Sequence, residues 1–157
     1  MLRAITLPIL ILIATEILFQ FLSKLPEPVL PESTPTWAWV LIMGVSLLPS
    51  CFAYGLAGWN VLKQRLGGLW IAGLAGLIVL CIETIVHLGA EFMFQTFTFA
   101  YSFVDLLRPL IDLTPYLSTN QMAALGVLVS QLIMAPLYIW MSILGGVAIK
   151  IRWRLGQ

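Results

Sequence analysis

Residues 68–99 read GLWIAGLAGLIVLCIETIVHLGAEFMFQTFTF. The run is apolar almost throughout. Its strongest polar interruptions, Glu83, His87, Glu91 and Gln95, fall at four-residue intervals. At about 3.6 residues per turn, that spacing stacks them along one side of an α-helix. The stretch therefore reads as a helix that dissolves in lipid over most of its circumference and carries one polar stripe. Ionisable groups at membrane depth are rare and expensive, so the stripe is a functional-site candidate.

The rest of the chain supports the same solvent. Of 157 residues, 61% are hydrophobic and only 10% are charged, with a mean hydropathy of +1.01. A soluble domain is closer to half apolar and a quarter charged, so there is too little polar surface here to coat one. Helical spans of about 20 residues cross a bilayer core. Four apolar stretches meet that requirement, at about 4–23, 37–62, 68–99 and 121–149. The predicted fold is all-α: one transmembrane domain over 1–157, built as a bundle of four membrane helices. The first stretch follows Arg3 as a signal peptide would. It is long, however, carries Glu16 and Gln20, and lacks a small-x-small cleavage site, so it reads as a span.

Charge placement sets the expected orientation. Arg3 precedes the first span, Lys63 and Arg65 separate the second and third, and Lys150, Arg152 and Arg154 close the chain. The two other connections hold only Lys24 and Arg108, beside Glu27, Glu32, Asp105 and Asp112. The positive-inside rule then puts both termini in the cytoplasm, in a cell (inner) membrane. A net charge of +1 excludes a basic nucleic-acid surface as a main theme.

The first outer loop, 25–35, has four prolines and should be extended and stiff. In the second, Asp105, Arg108 and Asp112 oppose Leu107, Leu110 and Ile111, which predicts a short amphipathic helix on the outer leaflet. Phe97, Phe99, Tyr101 and Phe103 alternate with small residues. An isolated strand cannot stand in lipid, so this segment reads as a helix end rich in interfacial aromatics. Trp37 and Trp39 suit the same belt. Ser118, Thr119 and Asn120 offer caps for the last span. Gly68, Ala72 and Gly76 on the third span, and Ala53 and Ala57 on the second, form ridges that allow close helix approach. Pro49 and Pro136 fall near the middle of spans two and four.

Counting along the spans predicts a polar layer. Glu16 lies roughly 12 Å from Lys24 along a helix axis, in the outer half of the membrane. Glu83, His87 and, on the fourth span, Ser130 and Gln131 reach similar depth. Glu16, Gln20, Glu83, His87, Ser130 and Gln131 are therefore expected to meet in one layer, with Glu91 and Gln95 nearer the headgroups. His87 can reach either adjacent glutamate, since i,i+4 neighbours have Cβ atoms about 5–6 Å apart. An echo between 13–20 (IATEILFQ) and 80–87 (LCIETIVH) also aligns Glu16 with Glu83. It suggests a parallel two-helix repeat that would turn both acids toward a shared centre.

The chemistry this implies is binding or translocation of a cation or protons. Glu16 and Glu83 would be ligands or carriers and His87 the switch. Gln20, Glu91 and Gln131 complete the candidate ligand set. Glu83 with His87 is the candidate metal pair, and a carboxylate with an imidazole suits a divalent cation such as zinc, manganese or iron. Cys51 and Cys81 form no metal-ligand spacing. There is no P-loop, dinucleotide fingerprint, HExxH or EF-hand. A single histidine also excludes bis-His heme ligation within the chain, and enzyme is the least supported class. Four helices make a thin pathway, so a homo-oligomer is expected. The alternative is an accessory subunit of a larger membrane complex, whose polar layer serves assembly.

Overall fold

A computed structural model describes residues 1–22, 36–94 and 117–156. It contains four helices: α1 (Leu2–Leu22), α2 (Thr36–Lys63), α3 (Leu69–Phe94) and α4 (Thr119–Leu155). Three of them, over Leu2–Phe21, Leu69–Met93 and Thr119–Leu155, are long and apolar enough to cross a membrane. Large apolar side chains cover the outside of the bundle, among them Leu132 (77% exposed) and Met93 (81% exposed). Such a surface suggests contact with a lipid bilayer.

The helix bounds follow the apolar stretches except at the chain's end. There α4 continues through Lys150, Arg152 and Arg154 to Leu155 instead of stopping near 149. Cations in a last turn meet the negative end of the helix dipole, and the Arg152 guanidinium lies 5.9 Å from the Trp59 ring centre on α2. Ser118 is the N-cap of α4. Its hydroxyl accepts from the Gln121 amide, and the Gln121 side chain accepts from the Ser118 amide. This capping box satisfies donors that the first helical turn leaves open. The Pro-rich loop at 25–35, Gln95, the aromatic stretch at 97–103 and the expected amphipathic helix at 105–112 lie outside the described residues, as do the side chains of Trp37 and Trp39.

A tight turn joins α2 to α3. The Arg65 amide donates to the Leu62 carbonyl and the Leu66 amide to Val61, while Arg65 takes a φ of 55°. These are the paired bonds of a Schellman end, with an arginine where glycine is the usual left-handed residue.

The packing is asymmetric. α2 and α3 each touch every other helix, whereas α1 and α4 do not touch among the described residues. α1 and α4 therefore flank the central α2–α3 pair. α4 enters the groove between α2 and α3 on small residues. A Cβ on Gly58 would fall 1.7 Å from the Ser142 carbonyl oxygen, and one on Gly145 would fall 1.8 Å from that of Gly55. With backbones this close, Ser142 reaches across and donates to the Ala72 carbonyl of α3 at 2.6 Å. Ala53, Ala57, Ala72 and Gly76 are buried, as their ridges imply. Gly68 does not join its ridge: it precedes α3, and a Cβ there would meet only the nearby Trp70 ring. On the other flank, the Asn60 side-chain amide donates to the Ala4 carbonyl at 3.0 Å and ties α1 to α2.

Candidate functional site

The polar stripe of α3 faces inward and divides between two sets of partners. His87 bridges two carboxylates. Its Nδ1 lies 2.9 Å from Glu16 Oε2 on α1, and its Nε2 lies 3.4 Å from Glu91 Oε1, one turn further along α3. The first contact is a hydrogen bond. The second is close enough for charge pairing, but its alignment leaves Nε2 without a hydrogen bond. Glu16 Oε1 accepts from the Gln20 amide at 2.8 Å. Gln20, Glu16, His87 and Glu91 thus form one continuous polar chain across two helices.

Glu83 faces a different neighbour. Its Oε2 accepts a hydrogen bond from the Tyr54 hydroxyl of α2. Tyr54 is fully buried and stacks on Tyr138 of α4, with ring centres 4.4 Å apart and planes 7° from parallel. Ser50 of α2 lies near the Tyr138 hydroxyl. The rings shield one side of Glu83, and the phenol supplies the donor that a buried carboxylate requires.

Glu16 and Glu83 come together at a narrow cleft between α1 and α3, lined also by Ile13, Val79 and Ile82. Its volume is ≈ 10 Å³, about the space one water molecule needs. The two acids aligned by the sequence echo therefore share a surface, although each spends a carboxylate oxygen on a different helix.

Glu91 is the most deeply buried acid, at 2% exposure. Its Oε2 has no hydrogen-bond partner, and neither does the buried Gln131 Oε1 on α4. The Ser130 hydroxyl turns back on its own helix and donates to the Val127 carbonyl at 2.8 Å. Because α4 does not touch α1, Ser130 and Gln131 are not set against Glu16. Of the expected layer, α1 and α3 bring together Glu16, Gln20, Glu83 and His87, and Glu91, expected nearer the headgroups, joins them beside His87. Glu83 and His87, the candidate metal pair, engage different partners. Among the described residues no group of three His, Cys, Asp or Glu side chains converges to hold a metal ion.

Charge balance sets what this arrangement can do. Three carboxylic acids lie in the interior with one imidazole, which supplies at most one positive charge. Every lysine and arginine of the described residues sits near a helix end or in the α2–α3 turn. Buried carboxylates without counter-charge are strongly unfavourable. The acids of this site thus outnumber the one positive charge that its imidazole can supply.

Tyr54 and Tyr138 are the site residues that spacing alone does not reveal. Their signal is position: both lie deep in apolar stretches rather than near an end, where a tyrosine hydroxyl must find a partner inside the protein. No family model, no curated protein and no solved structure matches the chain.

Proposed function

We propose that this chain is an integral membrane protein of the cell (inner) membrane with four spans and both termini in the cytoplasm. In this reading its Glu16–His87–Glu91 chain binds and relays protons within the bilayer. The observation that carries it is the single imidazole held between carboxylates from two helices, beside a buried Glu91 oxygen with no partner. Imidazole can accept a proton at one ring nitrogen and release one from the other. A proton passed from Glu91 to Nε2 makes the ring cationic between two acids. Loss of the Nδ1 proton to Glu16 then completes one step, and Glu16 opens onto the cleft it shares with Glu83. Gln20 and Tyr54 hold the two cleft carboxylates in place by donating to them.

Reconstitution into liposomes with an entrapped pH dye tests this. An imposed potential should drive proton entry through the wild type, and both His87→Ala and Glu91→Gln should reduce it to the protein-free leak. Equal flux through wild type and His87→Ala would refute the relay. The narrow cleft favours a second reading, in which the protein is a non-catalytic subunit of a larger membrane complex and the chain locks α1 to α3. In that case wild-type flux equals the leak, and His87→Ala instead releases a co-purifying partner.

A further inference from the structure

The end of the bundle away from the acids has a chemistry of its own. The Asn60–Ala4 bond brings the start of α1 to the end of α2. A Cβ on Gly146 would touch Leu62, Leu69 and Ala72, so α4 passes the α2–α3 turn at the same level. Arg3, Lys63, Arg65, Lys150, Arg152 and Arg154 are thereby gathered at one end, and all six are exposed. None is paired with an acid among the described residues, because Glu16, Glu83 and Glu91 lie in the far halves of α1 and α3.

One of these cations is held in position. The Arg152 guanidinium lies over Trp59, and Lys63 follows Trp59 by one helical turn on the same face of α2. Two cations from α2 and α4 therefore flank one seam. Exposed indoles lie at the same end of the bundle: Trp70 in the first turn of α3 (71% exposed) and Trp153, which follows Arg152 in α4 (41% exposed). An acidic protein would match the charges but leave these indoles without an apolar neighbour. A phospholipid satisfies both, with its phosphate at the cations and its glycerol and upper acyl chain at the tryptophans.

The geometry points to a binding site for an anionic phospholipid headgroup at the α2–α4 seam, with Arg152 and Lys63 as the phosphate ligands. The guanidinium supplies a planar fork that grips two phosphate oxygens, and Trp59 fixes its orientation. The remaining four cations raise the local concentration of anionic lipid around the seam. This site is independent of the acid–histidine chain and does not depend on which way the protein faces.

The test is native mass spectrometry of the whole chain released from nanodiscs of equal phosphatidylcholine and phosphatidylglycerol. The wild type should retain phosphatidylglycerol selectively. Each cation removed should lower that retention by about fivefold, so the double variant K63Q/R152Q should lose about 25-fold. R152K keeps the charge but loses the fork, and should fall between the two. Equal retention of both lipids by the wild type would overturn the proposal, and that comparison needs no variant to fold. Full selectivity in K63Q/R152Q would also overturn it, as would displacement of the lipid by millimolar inorganic phosphate or by an acidic peptide.

Discussion

Gly145→Ala should be among the most damaging single-methyl changes in this protein. The new Cβ would stand 1.8 Å from the Gly55 carbonyl oxygen, whereas an ordinary carbon–oxygen contact needs somewhat more than 3 Å. Backbone lies on both sides, so no side-chain rotation relieves the overlap, and α4 must move away from α2 by roughly 1.5 Å. Overpacking of that kind costs about 1–3 kcal/mol. The same movement stretches the Ser142–Ala72 hydrogen bond, now 2.6 Å, beyond useful length. That adds about 0.6 kcal/mol on the scale measured for interhelical bonds in membranes. It also parts the Tyr54–Tyr138 stack, worth about 0.5–1.5 kcal/mol. The sum is about 2–5 kcal/mol. Unfolding of the purified protein in mixed micelles by increasing sodium dodecyl sulfate, followed by circular dichroism, reads it directly. Gly89→Ala is the control, because nothing lies within 4 Å of a Cβ there. It should be neutral or slightly stabilising, since alanine favours helix over glycine. If Gly145→Ala unfolds at the same detergent fraction as Gly89→Ala, the close approach of α2 and α4 is wrong.

Tyr54→Phe removes the donor to Glu83 and should destabilise the protein by about 1–3 kcal/mol, because it leaves a buried acceptor unsatisfied. The double variant with Glu83→Leu should recover much of that loss in the same unfolding assay. Arg65→Gly relieves a left-handed backbone conformation in the α2–α3 turn and should raise stability by about 1 kcal/mol. A loss instead would assign the Arg65 side chain a structural role. Ser142→Ala should cost about 0.6 kcal/mol, far less than Gly145→Ala. Similar losses for the two would mean that the hydrogen bond, rather than the backbone contact, holds α4 in place.

The helices were legible because their signals are local. Apolar runs gave the described helices to within a few residues at most ends, and the run Ser118, Thr119 and Asn120 marked the start of α4. The i,i+4 stripe on α3 also reported its own geometry, since three and four residues of separation fix a face. Partnership was harder to read. Whether His87 meets Glu16 or Ser130 depends on which helices touch, and nothing in a single span records that α1 and α4 lie on opposite flanks. The Tyr54–Glu83 bond was hidden for the same reason, since 29 positions separate the two. Gly55, Gly58 and Gly145 resemble many small residues in apolar helices, and only the crossing of α2 with α4 selects them. Gly68 shows the converse: it completes a ridge in sequence but sits outside the helix that would display it.

His87 is the only histidine in the chain, so a single ¹⁵N-labelled imidazole can be followed without assignment. Solid-state NMR of the labelled protein in lipid, for the wild type, Glu16→Gln and Glu91→Gln, measures both ring nitrogens separately. If the imidazole links the two acids, Glu16→Gln moves the Nδ1 resonance and Glu91→Gln moves the Nε2 resonance, each with a smaller change at the other nitrogen. Two ring nitrogens that keep their wild-type shifts in both variants would show that no proton path runs through His87.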